Sequence, residues 1–284
     1  ATKPVGTGAF VLENWAKGSA VTLSRNPRFR DAAKVKLDKV TFRFINDSAA
    51  QVAALLAGDI DGMPRFAAFQ SLKQFQGDKR FTVEIGSTAG KGLMAINNRK
   101  KPFDDVRVRR ALMHAIDRKA FIDGAQEGLG KPIGSHFAPT DAGYLDLTGM
   151  YPYDPEKAKA LLKEAGVKTP LEVVLTLPPP PYARKGGEIV AAMLAKVGVN
   201  AKIENVEWAQ WLSGPFKGNF DLTIINHVEP LDYAQYGNTA YYWGYDSPAF
   251  RDLLAKHAAA GSVRGRPVFR SYETSRFVFQ VTPY

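Results

Sequence analysis

The stretch "NHVEPLDYAQYGNTAYYWGYDS" (226–247) gathers side chains that could do chemistry. His227, Glu229 and Asp232 lie among five tyrosines (Tyr233, Tyr236, Tyr241, Tyr242, Tyr245) and Trp243. Two carboxylates this close in sequence can form the acid–base pair of a glycosidase. The same acids also suit recognition of an ammonium group or of sugar hydroxyls. Buried phenols and acids each need a partner, so the stretch does not read as a core strand. A disordered tail would be poor in aromatics. The stretch therefore reads as a surface made to touch a ligand.

Other candidates are weaker. His114 shares a helix face with Arg110 and Arg118, opposite the apolar stripe, and reads as solvated. His136 and His257 have no acid or second histidine at a metal-ligand spacing, so both read as structural. His227 ends a strand beside Glu229 and Asp232. It can orient a ligand or bind a metal, and a hydrogen-bonded strand-end histidine is the simpler reading. "PVGTGAF" contains GxG but opens no helix, and no GxSxG, HExxH or phosphate-loop pattern occurs. No catalytic residue, metal site or cofactor is expected.

Composition bounds the rest. The chain has 284 residues, 45% apolar and 23% charged, enough for one large or two modest domains. No apolar run approaches the ~18 residues that would span a membrane, and the absence of cysteine rules out disulfides. "ATKPVGTGAF" has neither the charged nor the apolar region of a signal peptide, so a mature form, an intracellular protein or a piece of a longer chain is expected. Lys+Arg is 38 against Asp+Glu 28, a formal charge of +10. The charges are dispersed, and the densest cluster, "RKKPFDDVRVRR" (99–110), contains two acids. The interleaved basic and aromatic stripe of a nucleic-acid binder is missing.

The elements that must position these residues follow from periodicity. "GAFVLENWAKGSAVTLSRN" (8–26) reads as two strands around a Lys17-Gly18 turn, and "KLDKVTFRFIN" (36–46) as a half-buried strand through Val40, Phe42 and Phe44. "DSAAQVAALLAGDID" (47–61) reads as a helix capped by Asp47 or Ser48 and stopped by Gly58. "RFTVEIG" and "GLMAINN" are expected to be strands, and "DDVRVRRALMHAIDRKAF" (104–121) one helix with an acidic cap. "DPEKAKALLKEAG" (154–166) has Asp154 at the N-cap, Pro155 at the first helical position and Gly166 at the end. From 171 to 227 the order is strand, helix, strand, short helix, strand, with "PPPP" (178–181) a stiff connector. That order argues for an α/β sheet, which binds ligands outside the carboxyl ends of its strands. The strand "FDLTIINH" runs straight into the aromatic stretch.

These residues resemble a known family. "PVGTGAFVL", "RNPRFR", "KLDKVTFRFINDSAAQVAALLAGDID", "INNRKKPFDDVRVRRALMHAID", "YPYDPEKAKALLKEAGV" and "LAKVGVNAKIENVEW" are similar, in order, to the extracytoplasmic solute-binding proteins of ABC importers, the peptide- and nickel-binding family. The resemblance implies a two-lobed periplasmic-binding-protein-like α/β fold that closes over a ligand and performs no chemistry. It implies an exported protein, periplasmic or lipid-anchored outside the cell membrane, with a membrane permease as partner. In the family "PVGTG" lies well inside the chain; here it starts at residue 4. The chain is therefore expected to be a fragment with lobe I incomplete, completed by a second chain or fragment. Residues 1–97 and 277–284 are expected in lobe I and 98–276 in lobe II, the chain crossing near Ile96–Lys101 and returning near Arg276–Gln280. Within "SVRGRPVFRSYETSR" (262–276), Pro267 would break the helix that the family carries there, and "FVFQVTPY" matches its last strand.

In dipeptide-binding relatives an acid matching Glu229 or Asp232 pairs with the peptide's α-amino group, and a cation matching Arg184 or Lys185 pairs with its carboxylate. His227, Tyr233, Tyr241, Tyr242 and Trp243 are expected to line the same cleft. The expected function is capture of a small polar solute, a peptide by default, for an ABC importer. Two alternatives come from other classes: a hydrolase using Glu229 and Asp232, which would turn over a substrate, and a basic nucleic-acid-binding module, whose DNA binding would fall steeply with salt.

Overall fold

A computed structural model describes residues 4–141, 144–229, 232–259 and 280–282. It divides into two compact units, Ala1–Thr82 and Val83–Tyr284.

The first unit is built on a three-stranded antiparallel sheet, β1 (Phe10–Ala16), β2 (Ala20–Arg25) and β3 (Lys39–Arg43), in that order. The β1–β2 turn needs a left-handed residue, which Gly18 supplies at φ 75°. Two helices follow, α1 (Ser48–Ala57) and α2 (Leu72–Gln76). Of the two caps available to α1, Asp47 serves, accepting from the Ala50 amide, and Gly58 closes the helix in the left-handed region. Phe42 and Phe44 remain 49% and 47% exposed. "RFTVEIG" does not become a strand. Its Phe81 packs edge-on against Phe75, which meets Phe66 in the same way, so these side chains feed an aromatic cluster instead of a ladder.

The second unit holds a six-stranded mixed sheet. In chain order its elements are β4 (Lys91–Ile96), α3 (Val106–Ala115), α4 (Arg118–Gln126), β5 (Lys131–Ile133), α5 (Pro155–Glu164), β6 (Leu171–Leu177), α6 (Pro181–Ala195), β7 (Val199–Asn205), α7 (Trp208–Ser213), β8 (Leu222–His227), α8 (Pro248–Ala259) and β9 (Gln280–Thr282). The sheet order is β5-β9-β4-β8-β6-β7. Strands β6, β7 and β8 run parallel, as the β-α-β pattern requires, and β4 pairs antiparallel with β8. β4 lay within the residues expected in lobe I, and β9 within the returning strand; both belong to this sheet. The physical reason is visible in "GLMAIN". Met94 and Ile96 enter one core and Leu93 and Ala95 the other, so the strand must be covered on both faces.

The first core lies between one face of the sheet and helices α3 to α6, with Leu112, Ile116, Phe121, Leu162, Val190 and Leu194 as its large members. The second, on the opposite face, is mostly aromatic: Trp211, Phe220, Tyr233, Tyr236, Tyr242, Trp243 and Phe250. The single helix expected over 104–121 is two helices. Asp105 caps α3, Ile116 is extended, and Asp117 caps α4 by accepting from the Ala120 amide at 3.0 Å. An aspartate competes with the backbone ladder and restarts a helix more readily than it continues one. His114 is buried, not solvated. Its Nδ1 lies 2.7 Å from the Pro152 carbonyl, under the chain that leads into α5. Helix α6 starts at Pro181, so the last proline of the rigid run is the first residue of the helix.

Candidate functional site

Period two along β4 and β8 places Lys91, Leu93 and Ala95, with Thr223, Ile225 and His227, on the aromatic face. Lys91 and His227 are cross-strand partners at the end of the sheet where β8 finishes. A short 3₁₀ turn, Asp232–Gly237, then carries Asp232 back over this end. There the carboxylate is 8% exposed and receives two imidazoles. His136, from the loop after β5, brings Nε2 to 2.5 Å from Oδ1, and His227 brings Nδ1 to 2.9 Å from Oδ2. The far nitrogens meet phenols: His227 Nε2 lies 2.9 Å from the Tyr242 hydroxyl and His136 Nδ1 3.2 Å from that of Tyr236. An ionised carboxylate only accepts, so the near nitrogens carry the protons and the phenols donate to the far ones. Lys91, 1% exposed, donates from Nζ to the Ala89 carbonyl at 3.0 Å and the Glu229 carbonyl at 3.2 Å, and stands 3.8 Å from Asp232 Oδ1.

The electrostatics follow from burial and these bonds. Burial alone would raise the Asp232 carboxyl, but hydrogen bonds from His136 and His227 outweigh it and hold the group well below the usual carboxylate range. Burial pushes the His136 imidazole down to about 4 against the opposing pull of Asp232, so the ring is neutral at pH 7. Burial drives the Tyr242 phenol well above its usual value and Tyr241 up to about 12, with the charges of Asp232 and Glu229 adding to the latter. The cluster is one anion, one ammonium group and two imidazoles. His136, His227 and Asp232 offer ligand atoms within 4.8 Å of one another, a set that could hold a metal by composition. The Lys91 ammonium already supplies the compensating positive charge, and a dication there would meet it across the same carboxylate.

His227, Asp232, Tyr242 and Trp243 are brought together, and all four are buried. Tyr241 is half-buried, its ring 4.5 Å from that of Trp243. Tyr233 is buried apart from them, stacked on Phe137 and 3.5 Å from His257 Nδ1. The aromatic stretch thus forms most of a core layer, contrary to the reading of it as surface throughout. Histidines supply the partners that its phenols need. Asn98 and Arg99 fasten it from outside, donating to the carbonyls of Trp243 at 3.1 Å and Tyr241 at 3.1 Å. Glu229 is exposed, its Oε2 accepting from the Val228 amide at 3.1 Å. Arg184 and Lys185 lie in the first turns of α6, where Arg184 pairs with Glu207 at 3.1 Å and Lys185 is exposed. The Asn226 amide donates to the Tyr182 hydroxyl at 3.1 Å, which ties the start of α6 to the end of β8. Lys91 and His136 were not anticipated. A lysine opening an all-apolar strand was a signal for the first; nothing local to His136 marks it, because its partner acid is remote in sequence.

A mixed sheet with parallel β6, β7 and β8, helices over one face, an aromatic layer carrying α7 and α8 over the other, and polar groups at the carboxyl end of β8 make an α/β unit. The chain superposes with a TM-score of 0.87 and 26% identity on the ABC transporter-associated periplasmic binding protein DppA of Helicobacter pylori in complex with peptide STSA, covering 99% of this chain and 59% of that one. It matches AgaA of A. tumefaciens R10, in complex with agropinic acid, at a TM-score of 0.86 and 25% identity, over 97% of this chain and 60% of that one. Among curated proteins it is 34% identical over 227 residues to the dipeptide-binding protein of Escherichia coli (strain K12), 78% of this chain and 42% of that protein. Residues 1–249 match the family model described as bacterial extracellular solute-binding proteins, family 5 Middle, and the chain belongs to that family. It spans less than half the length of that curated relative. These relatives are binding proteins rather than enzymes, and no helix among the described residues is long and apolar enough to cross a membrane.

Proposed function

We propose that this chain is part of the substrate-binding component of an ABC importer. It captures a small polar solute, a peptide in the first instance, between two lobes outside the cytoplasmic membrane, in the periplasm or on a lipid anchor, and delivers it to a membrane permease. Lobe I draws on residues 1–97 and 277–284 and lobe II on 98–276, except that β4 and β9, which fall within the lobe I ranges, pair into the lobe II sheet and are the strands through which the chain passes between lobes. The observation that carries the site assignment is the bond between the Asn226 amide and the Tyr182 hydroxyl. It sets the end of β8, which leads to Glu229, beside the start of α6, which carries Arg184 and Lys185. An exposed acid and two cations then stand at one end of one sheet, a complement to a zwitterion. Glu229 is the acid offered to the ligand's ammonium group. Asp232, His227, Tyr242 and Trp243 back the wall with half-buried Tyr241 beside them, and Tyr233 supports it from its stack on Phe137.

Calorimetry on the full-length protein tests this reading with a dipeptide library in free and N-acetylated forms. A free dipeptide should bind, its acetylated form should bind at least tenfold more weakly, and Glu229→Gln should remove that difference, worth about 1.4 kcal/mol per tenfold. Lys163→Ala, on the exposed side of α5, should change nothing. Unchanged affinity in Glu229→Gln would reject the acid. Agropinic acid is the control for the non-peptide solute class. Failure of every peptide to raise the melting temperature, with agropinic acid succeeding, would replace the substrate and keep the fold assignment.

A further inference from the structure

The buried cluster beneath Glu229 does more than fill space. The loop that presents Glu229 is held on both sides. Lys91 Nζ bonds the Glu229 carbonyl itself, at 3.2 Å, and three positions away Asp232 is gripped by His136 and His227. The grips come from three separate elements: β4 through Lys91, the end of β8 through His227, and the loop after β5 through His136. Lys91 also bonds the Ala89 carbonyl, and at Gly90 a Cβ would stand 3.2 Å from the Asn226 side-chain amide, so residues 88–90 pack closely on the same strand end. An ammonium group that is 1% exposed and a carboxylate that is 8% exposed are costly to bury, and a cheaper apolar core was available on this face. In some proteins such buried polar groups specify geometry at a cost in stability.

We propose that Lys91, Asp232 and His136 are positioning residues that fix the backbone of Glu229 and so set the direction in which its carboxylate meets the ligand. This rests on the reading of Glu229 as the acceptor of the ligand's ammonium group. Specificity for a free amine is then decided one layer behind the acid, by residues that never touch the solute. A water-filled pocket or a mobile loop would let the carboxylate turn toward many donors; a loop bolted at Glu229 O and Asp232 lets it serve one geometry.

Two readouts on the full-length protein test the proposal, with Lys91→Met as variant. Amide exchange, which needs no ligand, should rise at least tenfold over residues 228–233, while β6 and β7 exchange as in the parent protein. The preference for Ala-Ala over N-acetyl-Ala-Ala should fall about tenfold, with affinity for the acetylated dipeptide unchanged. A general structural role would instead weaken both dipeptides equally and loosen the whole sheet, and that result overturns the proposal, as does unchanged exchange at 228–233. Should Lys91→Met not fold, Asp232→Asn, which keeps the volume and one acceptor, is read in the same way. If the parent protein itself does not distinguish the two dipeptides, the reading of Glu229 fails, and the exchange result alone still decides whether the clamp exists.

Discussion

At the scale of single residues, His136 decides how the protein should respond to acid. It faces Asp232, His227, Lys91, Tyr236 and Trp243, and burial lowers its folded-state value to about 4 from an ordinary 6.5. Between those values the unfolded chain binds a proton that the folded one refuses. Stability is therefore complete above pH 6.5 and falls as the pH drops toward 4, by roughly 3 kcal/mol at 1.36 kcal/mol per unit. Asp232, also held low, adds a further loss only below its ordinary 3.8. Thermal melts at pH 7, 5 and 4 should show this decline, and His136→Gln should flatten it between 6.5 and 4. A flat profile in the parent protein would mean that the ring is solvated. Little of this was legible in the sequence. Asp232 and His227 are five residues apart and could be suspected of meeting. Their joining to His136 and Lys91 depends on strand order, which brings β4 beside β8 and the loop after β5 beside both.

At the scale of elements, caps and periodicity carried most of the reading. Asp154 with Pro155, Asp47 with Gly58, and the β6-α6-β7 alternation all stand where their chemistry placed them. Apolar alternation alone misleads in two ways, where a tertiary partner is missing and where a capping residue interrupts the ladder. "RFTVEIG" alternates like a strand and pairs with no strand among the described residues. In "DDVRVRRALMHAIDRKAF" the apolar spacing continues through Ile116, but Asp117 takes a cap conformation and turns one helix into two. Asp117→Ala should then cost α4 its cap, about 1 kcal/mol. A drop in melting temperature with unchanged ligand affinity would confirm a purely structural role, and an unchanged melt would show that tertiary contacts alone break the helix.

At the scale of the whole molecule, the first unit leaves large apolar side chains in the open: Trp15 on β1, Phe42 on β3 and Phe44 just beyond it. Single exposed apolar groups need no explanation, but three near one small sheet form an apolar face, and we propose that a further segment of the protein covers it. For this chain taken alone, the paired change Phe42→Ser and Phe44→Ser should alter stability by no more than about 0.5 kcal/mol and should improve solubility. In the full-length protein the same pair should destabilise measurably. Equal effects in both would mean that the face is uncovered in both. The alternation of these positions is legible in the sequence, and what lies against them is not, because alternation fixes the face a side chain takes and carries no information about its cover.

Helix α6 has two neighbouring glycines, and each is there for want of space. A Cβ on Gly186 would come within 2.3 Å of the Phe121 ring, and one on Gly187 within 2.2 Å of Leu177. The helix therefore rests directly on both α4 and the sheet, while Arg184 and Lys185, immediately before these glycines, project from its outward turns. Within these four consecutive positions, two very different tolerances to substitution stand side by side. Lys185 is exposed and can be exchanged at little cost to the packing, Arg184 is tied to Glu207 at the N-cap of α7, and the pair of glycines admits almost no alternative. Change in this part of the chain is thus channelled into its exposed charge, and the frame that carries it stays fixed.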